Sequence, residues 1–297
     1  MAVPNRRSGT RGPETGAREG GRGSDRTSGR SGKPRSGGRR DDAARTPRSV
    51  DQARYDGPPI PDDITGRELD RSVRQQLRTL PEKLAARVAR HLVAAGRLIE
   101  IDPETAYQHT LAARSRAARL AVVREASAEA AYAAGHYQEA LTEFRAVRRM
   151  SGNPAFLPVI ADCERALGRP ERALKIAQDP AISELSPADR VEMLIVAAGA
   201  RLDMGQPETA VLMLESQAVG SRARSTPAAR LRYAYAEALL AAGRSSDALE
   251  WFHRAAASDA EGVMDAAERA AALEGIELVD TVELADDDSE RIDRADD

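Results

Sequence analysis

The side chains best suited to soft-metal or thiol–imidazole chemistry are four histidines and one cysteine: His91, His109, His136, His253 and Cys163. Zinc chemistry needs ligands at fixed helical or hairpin spacing, such as two histidines four apart with a glutamate after the first. None of the four histidines has that spacing, and none lies near the cysteine in sequence. Cys163 has no adjacent histidine to draw off its proton, so a small buried apolar role is expected. The glycines of the N-terminal stretch do not sit between a strand and a helix, so they form no phosphate loop. Trp251 and Phe252 are expected to pack between helices. The expectation is therefore no catalytic residue, no cofactor and no metal, and a small-molecule substrate is not anticipated.

Charge is the other chemistry available. The formal net charge is −3. Residues 1–50 hold 13 basic and 5 acidic side chains, and residues 277–297 hold 2 basic and 10 acidic. Blocks of this kind mark interaction segments. Arginine among glycine and serine suits a phosphate backbone through counterion release. Tyr55 is the only aromatic nearby, so any RNA or DNA binding through this tail would be blind to sequence. A solubilising role, or pairing with acidic parts of the same chain, fits the same residues.

The elements that must position such groups are helices. Alanine, leucine and arginine dominate while aromatics make up 3% of the chain, a composition that favours helix over a sandwich or barrel. A single cysteine excludes an intramolecular disulfide and makes a reducing, cytoplasmic setting the default. No apolar run approaches the length of a spanning helix or of a secretory signal, so no membrane role is expected. Residues 1–60 read as a disordered Arg/Gly/Ser-rich tail, with Pro58-Pro59-Ile60-Pro61 as a stiff hinge. Residues 61–120 read as a helical N-terminal cap and degenerate repeat, 121–276 as a repeat domain, and 277–297 as an acidic tail with a short patch at Ile276 to Leu284.

Helix starts are expected at Thr65 with Glu68 and at Thr79 with Glu82, two capping-box pairs. Others are expected at Asp102-Pro103, Asn153-Pro154, Ser186-Pro187 and Thr226-Pro227, where a capping side chain precedes a proline.

Self-similarity carries the most information. Four segments share a glycine turn followed five residues later by an alanine: Gly135/Ala140, Gly168/Ala173, Gly205/Ala210 and Gly243/Ala248. The glycines lie 33, 37 and 38 residues apart. Glycine permits the left-handed conformation that ends a helix. The alanine is small where two helices cross. Phe144, Leu214 and Phe252 stand four residues beyond it, whereas the second unit offers only Ala177.

On these residues, together with Tyr137, the chain resembles the tetratricopeptide repeat family over roughly residues 121–260. The repeats are divergent: Arg124 and Ala128 replace the family's early tryptophan and glycine. A degenerate unit is expected before them, with Gly96 ending one helix, Ala106 opening the next, and Ile99 to Asp102 lengthening the turn. The resemblance implies an all-α, right-handed α-solenoid of about ten to twelve helices.

It also implies that first helices line a concave groove. The residues facing it are then Glu125, Glu129, Tyr132, Asp162, Arg165, Glu192, Asp203, Tyr233 and Glu237. This set is mainly acidic and suits a basic peptide or protein surface; carboxylates on ordinary solvated helix faces are the commoner explanation of such a set. The expected role is a protein-interaction scaffold or adaptor in a bacterial-type cytoplasm. The alternative is an RNA- or ribosome-associated accessory protein using its basic tail.

Overall fold

The structure, a computed structural model, describes residues 56–220, 225–260 and 262–275. The basic tail up to residue 55, the acidic tail from 277 and the Ile276 to Leu284 patch lie outside the described residues. Twelve α-helices and no strand occur among the described residues. They are α1 (Arg71–Leu77), α2 (Glu82–Leu98), α3 (Pro103–Ala117), α4 (Ala121–Ala133), α5 (Tyr137–Ser151), α6 (Leu157–Ala166), α7 (Pro170–Ile176), α8 (Pro187–Asp203), α9 (Pro207–Gly220), α10 (Thr226–Ala241), α11 (Ser245–Ala256) and α12 (Ala266–Glu274).

Each of α2 to α12 packs on its neighbours in sequence, and α2 also meets α4, α6 meets α8, and α8 meets α10. Contact with the next helix and the next but one is the signature of stacked helix pairs, an α-solenoid.

The four repeat turns are nearly identical. Gly135, Gly168, Gly205 and Gly243 have φ of 75, 71, 69 and 77°. The amide after each glycine donates to a carbonyl five residues back: His136 to Ala131, Arg169 to Glu164, Gln206 to Arg201, Arg244 to Leu239, at 2.8–2.9 Å. These Schellman bonds satisfy carbonyls that the helix end would leave open. The alanine five residues on receives no solvent in any unit: Ala140, Ala173, Ala210 and Ala248 are fully buried. Phe144, Leu214 and Phe252 are buried beside them, each worth about 1.5–3 kcal/mol relative to an exposed side chain.

Several helix starts differ from expectation. Thr65 and Glu68 do bond to each other, but they form a turn, and α1 begins at Arg71 with Asp70 capping Ser72. Thr79 does not cap α2: its hydroxyl donates to the Gln76 carbonyl, and Pro81 occupies the cap position. Asp102 and Ser186 cap as expected, accepting from the amides of Thr105 and Asp189. Asn153 instead caps a short 3₁₀ turn, Pro154–Phe156, ahead of α6. Ser225 precedes α10 without a side-chain cap. Gly96 ends nothing; α2 runs past it to Leu98 because Leu98, not Gly96, closes the apolar face on the next helix.

The expected proline hinge is a packed strap. Ile64 is buried and Ile60 half-buried against Val93 and Ala94 of α2. Arg90 donates to the carbonyls of Ile64 and Pro61, and Arg87 and Arg116 both hold Asp56 at 3.1 Å.

Candidate functional site

All nine sequence-predicted residues lie on the first helices of the pairs (α4, α6, α8, α10), and their partners sort them into two groups. The first group is tied together. Tyr132 on α4 donates to Asp162 on α6. Arg165, one turn further along α6, donates to Asp162 at 3.0 Å and to Asp203 on α8 at 2.6 Å. The Arg165 guanidinium lies flat against Gly199, where an added Cβ would come within 2.8 Å. A continuous polar seam thus crosses three helix pairs. It borders an open cavity of about 680 Å³, whose walls include Tyr137, Asp162, Arg165 and Asp203. Burial pushes the Tyr132 phenol up, and its bond to Asp162 adds to that.

Glu192 and Glu237 are also compensated. Arg230 reaches Glu192 at 2.9 Å, and Arg269 reaches Glu237 at 2.6 Å while resting over the Phe252 ring. Burial still raises the Glu192 carboxyl, with Arg230 opposing it. Tyr233 packs edge-on against Phe252; burial and a hydrogen bond to Asp265 hold its phenol well above the usual value.

The second group is Glu125 and Glu129. They stand four apart on α4, hence side by side on one helix face. Neither has an ion pair among the described residues. Burial raises the Glu125 carboxyl; burial and then the Glu125 charge raise that of Glu129. Glu129 nonetheless keeps an exposed surface. Protein atoms crowd the carboxylates and thin their hydration without sealing them off.

The neutralising arginines Arg230 and Arg269 were not singled out from sequence. A signal existed: Arg165 and Asp203 are 38 residues apart, Glu192 and Arg230 also 38, and Glu237 and Arg269 32. Each pair spans about one repeat, so opposite charges one period apart meet across the stack.

Arg124, which stands where the family has tryptophan, has its own use. Its guanidinium and that of Arg114 clamp the buried Glu143 at 2.6 and 2.5 Å, tying α3 and α4 to α5. His91 and His109, far apart in sequence, meet with their Nδ1 atoms 3.0 Å apart. Cys163 is buried, and burial first pushes its thiol up to about 12, the setting of an inert thiol. Among the described residues no cluster of three or more metal-type side chains occurs, and no helix is long and apolar enough to cross a membrane.

No match was found among curated proteins. The tetratricopeptide repeat family model matches residues 125–189 and 196–263, the stretch in which the glycine turns, buried alanines and stacked first helices recur. Repeats of this kind generally mediate protein–protein interaction, and residues 125–189 and 196–263 of the chain form tetratricopeptide-type repeats.

Proposed function

We propose that the chain is a protein-interaction adaptor whose first-helix face takes a basic peptide segment, with Glu125 and Glu129 as the carboxylates that meet it. The observation that supports this is the division of the acidic residues. Asp162, Asp203, Glu192 and Glu237 already have arginine partners. Glu125 and Glu129 are two crowded like charges with none among the described residues, and both are held back from ionising. An incoming guanidinium or ammonium relieves both the crowding and the repulsion, which is where an acidic surface gains most from a cation. The Tyr132–Asp162–Arg165–Asp203 seam continues the same face and supplies both donors and acceptors for a peptide backbone. The RNA-associated alternative rests on residues outside the described ones.

The test is fluorescence anisotropy with a labelled arginine-rich peptide. Glu125→Lys/Glu129→Lys should weaken binding about tenfold or more. Asp286→Lys/Asp287→Lys, which changes net charge equally, should have a smaller effect. Unchanged affinity in the α4 variant would remove the basis for this site.

A further inference from the structure

We infer that a second surface, on the opposite side of α6, docks an acidic peptide segment of a partner protein through Arg145, Arg172 and Lys175. Residues two apart on a helix point about 200° from each other. Asp162 belongs to the first-helix face, so Glu164 points away from it. The Glu164 side chain has no exposure at all, and three arginines converge on it: Arg145 at 2.5 Å on one oxygen, Arg169 at 3.4 Å and Arg172 at 3.9 Å on the other. Burying a carboxylate this completely demands such partners. One negative charge cannot satisfy three guanidiniums, however, and Lys175 adds a fourth cation with no ion pair among the described residues. Asp179 nearby is engaged by Arg148 at 2.9 Å. Glu171, four residues before Lys175 and beside it on α7, makes no ion pair with it among the described residues and also lines the cavity bordered by Asp162 and Arg165. Arg172 and Arg145 remain 64% and 44% exposed, so their outward N–H groups are available.

The space is created by a departure from the repeat. The second helices α5, α9 and α11 have 15, 14 and 12 residues, but α7 has 7. Asp179 is extended and Pro180 follows it, an arrangement that stops a helix, and the chain turns into the 3₁₀ segment Pro180–Glu184. Where the missing turns would lie there is an open cavity of about 670 Å³, walled by Arg145, Arg172, Lys175, Ile176, Gln178 and Pro180 together with the two arginine-paired carboxylates Glu164 and Asp179. Arg145 and Arg172 reach opposite oxygens of Glu164, and Lys175 stands one turn further along α7. With Lys175 the cations thus extend as a rim beyond the point at Glu164 where the arginines meet. Ile176, Gln178 and Pro180 add apolar and amide surface between them. That suits several carboxylates carried on one chain more than a single compact anion; the planar arginine forks supply paired donors for each carboxylate.

A hexaglutamate peptide bearing a benzophenone photo-crosslinker tests this on the full chain, with adducts mapped by mass spectrometry. Adducts are expected within residues 145–180. They should be lost in Arg172→Glu/Lys175→Glu and kept in Arg71→Glu/Lys83→Glu, an equal charge change at exposed positions on α1 and α2; circular dichroism checks that both variants fold. Adducts confined to residues 1–50, equal loss in both variants, or full competition by pyrophosphate at matched ionic strength would each overturn the proposal. The arginine-rich peptide should bind Arg172→Glu/Lys175→Glu as it binds the unaltered chain, so the two faces fail or stand separately.

Discussion

At the scale of single residues, the His91–His109 pair couples stability to pH. Both rings are about 1% exposed, and their Nδ1 contact requires one nitrogen to donate and the other to accept. Gly57 of the strap covers His91, and a Cβ there would lie 2.5 Å from Ala112. Burial, then His109, then Arg116, Arg87 and Arg90 hold the His91 imidazole down to about 4; burial lowers His109 as well. An unfolded imidazole takes up its proton near 6.5. Below that pH the unfolded chain binds more protons than the folded one, so stability is complete above about 6.5 and falls as pH drops toward 4. The slope is at most about 1.4 kcal/mol per pH unit for each histidine. Urea midpoints between pH 7.5 and 5 should fall for the unaltered chain and stay flatter for His91→Leu/His109→Leu. Equal slopes would mean that the pair is not the sensor.

At the scale of elements, the turn glycines and Gly96 predict opposite effects for the same substitution. Gly205 has a φ of 69°, and nothing lies within 4 Å of where an added methyl would sit, so the cost of Gly205→Ala is backbone alone. It should destabilise by about 1–2 kcal/mol. Gly96 lies inside α2, exposed and equally uncrowded. Gly96→Ala should stabilise by roughly 0.5–1 kcal/mol. Denaturant unfolding of the two variants reads both signs, and a loss at Gly96 would contradict its placement in helix. The turns were legible in sequence because each is closed by bonds spanning five residues. The end of α2 was not, because Gly96 in isolation looks like a stop and only the packing of Leu98 shows the helix continuing.

At the scale of the whole molecule, the core is a series of adjoining clusters. One gathers Leu77, Val88, Leu92 and Val123; another Leu141, Phe144 and Ile160; a third Leu157, Leu185 and Met193; a fourth Leu214, Tyr235, Trp251 and Phe252. Stability in such a stack is a sum of units and their interfaces. Phe252→Ala should cost about 3–5 kcal/mol locally. Amide hydrogen exchange should accelerate in α10 to α12 far more than in α2 to α4. Uniform acceleration along the chain would show one cooperative unit in place of a series.

The helix–turn–helix repeat, its register and its buried alanines were determined by the sequence alone. Gly135/Ala140, Gly168/Ala173, Gly205/Ala210 and Gly243/Ala248 act through φ, short backbone bonds and side-chain size, all local properties. The acidic character of the first-helix face was only half legible. Nine residues could be assigned to the first helices, and Asp162 meets Arg165 three residues on, but whether Asp203, Glu192 or Glu237 keeps its charge free depends on an arginine 32 to 38 residues away. That partner comes within reach only once helix pairs stack, as Arg230 does for Glu192 and Arg269 for Glu237. The strap over His91 and the cavity left by a shortened α7 were decided by tertiary structure for the same reason: each depends on which distant surfaces meet, and the distance between two charges is set by packing and not by their separation along the chain.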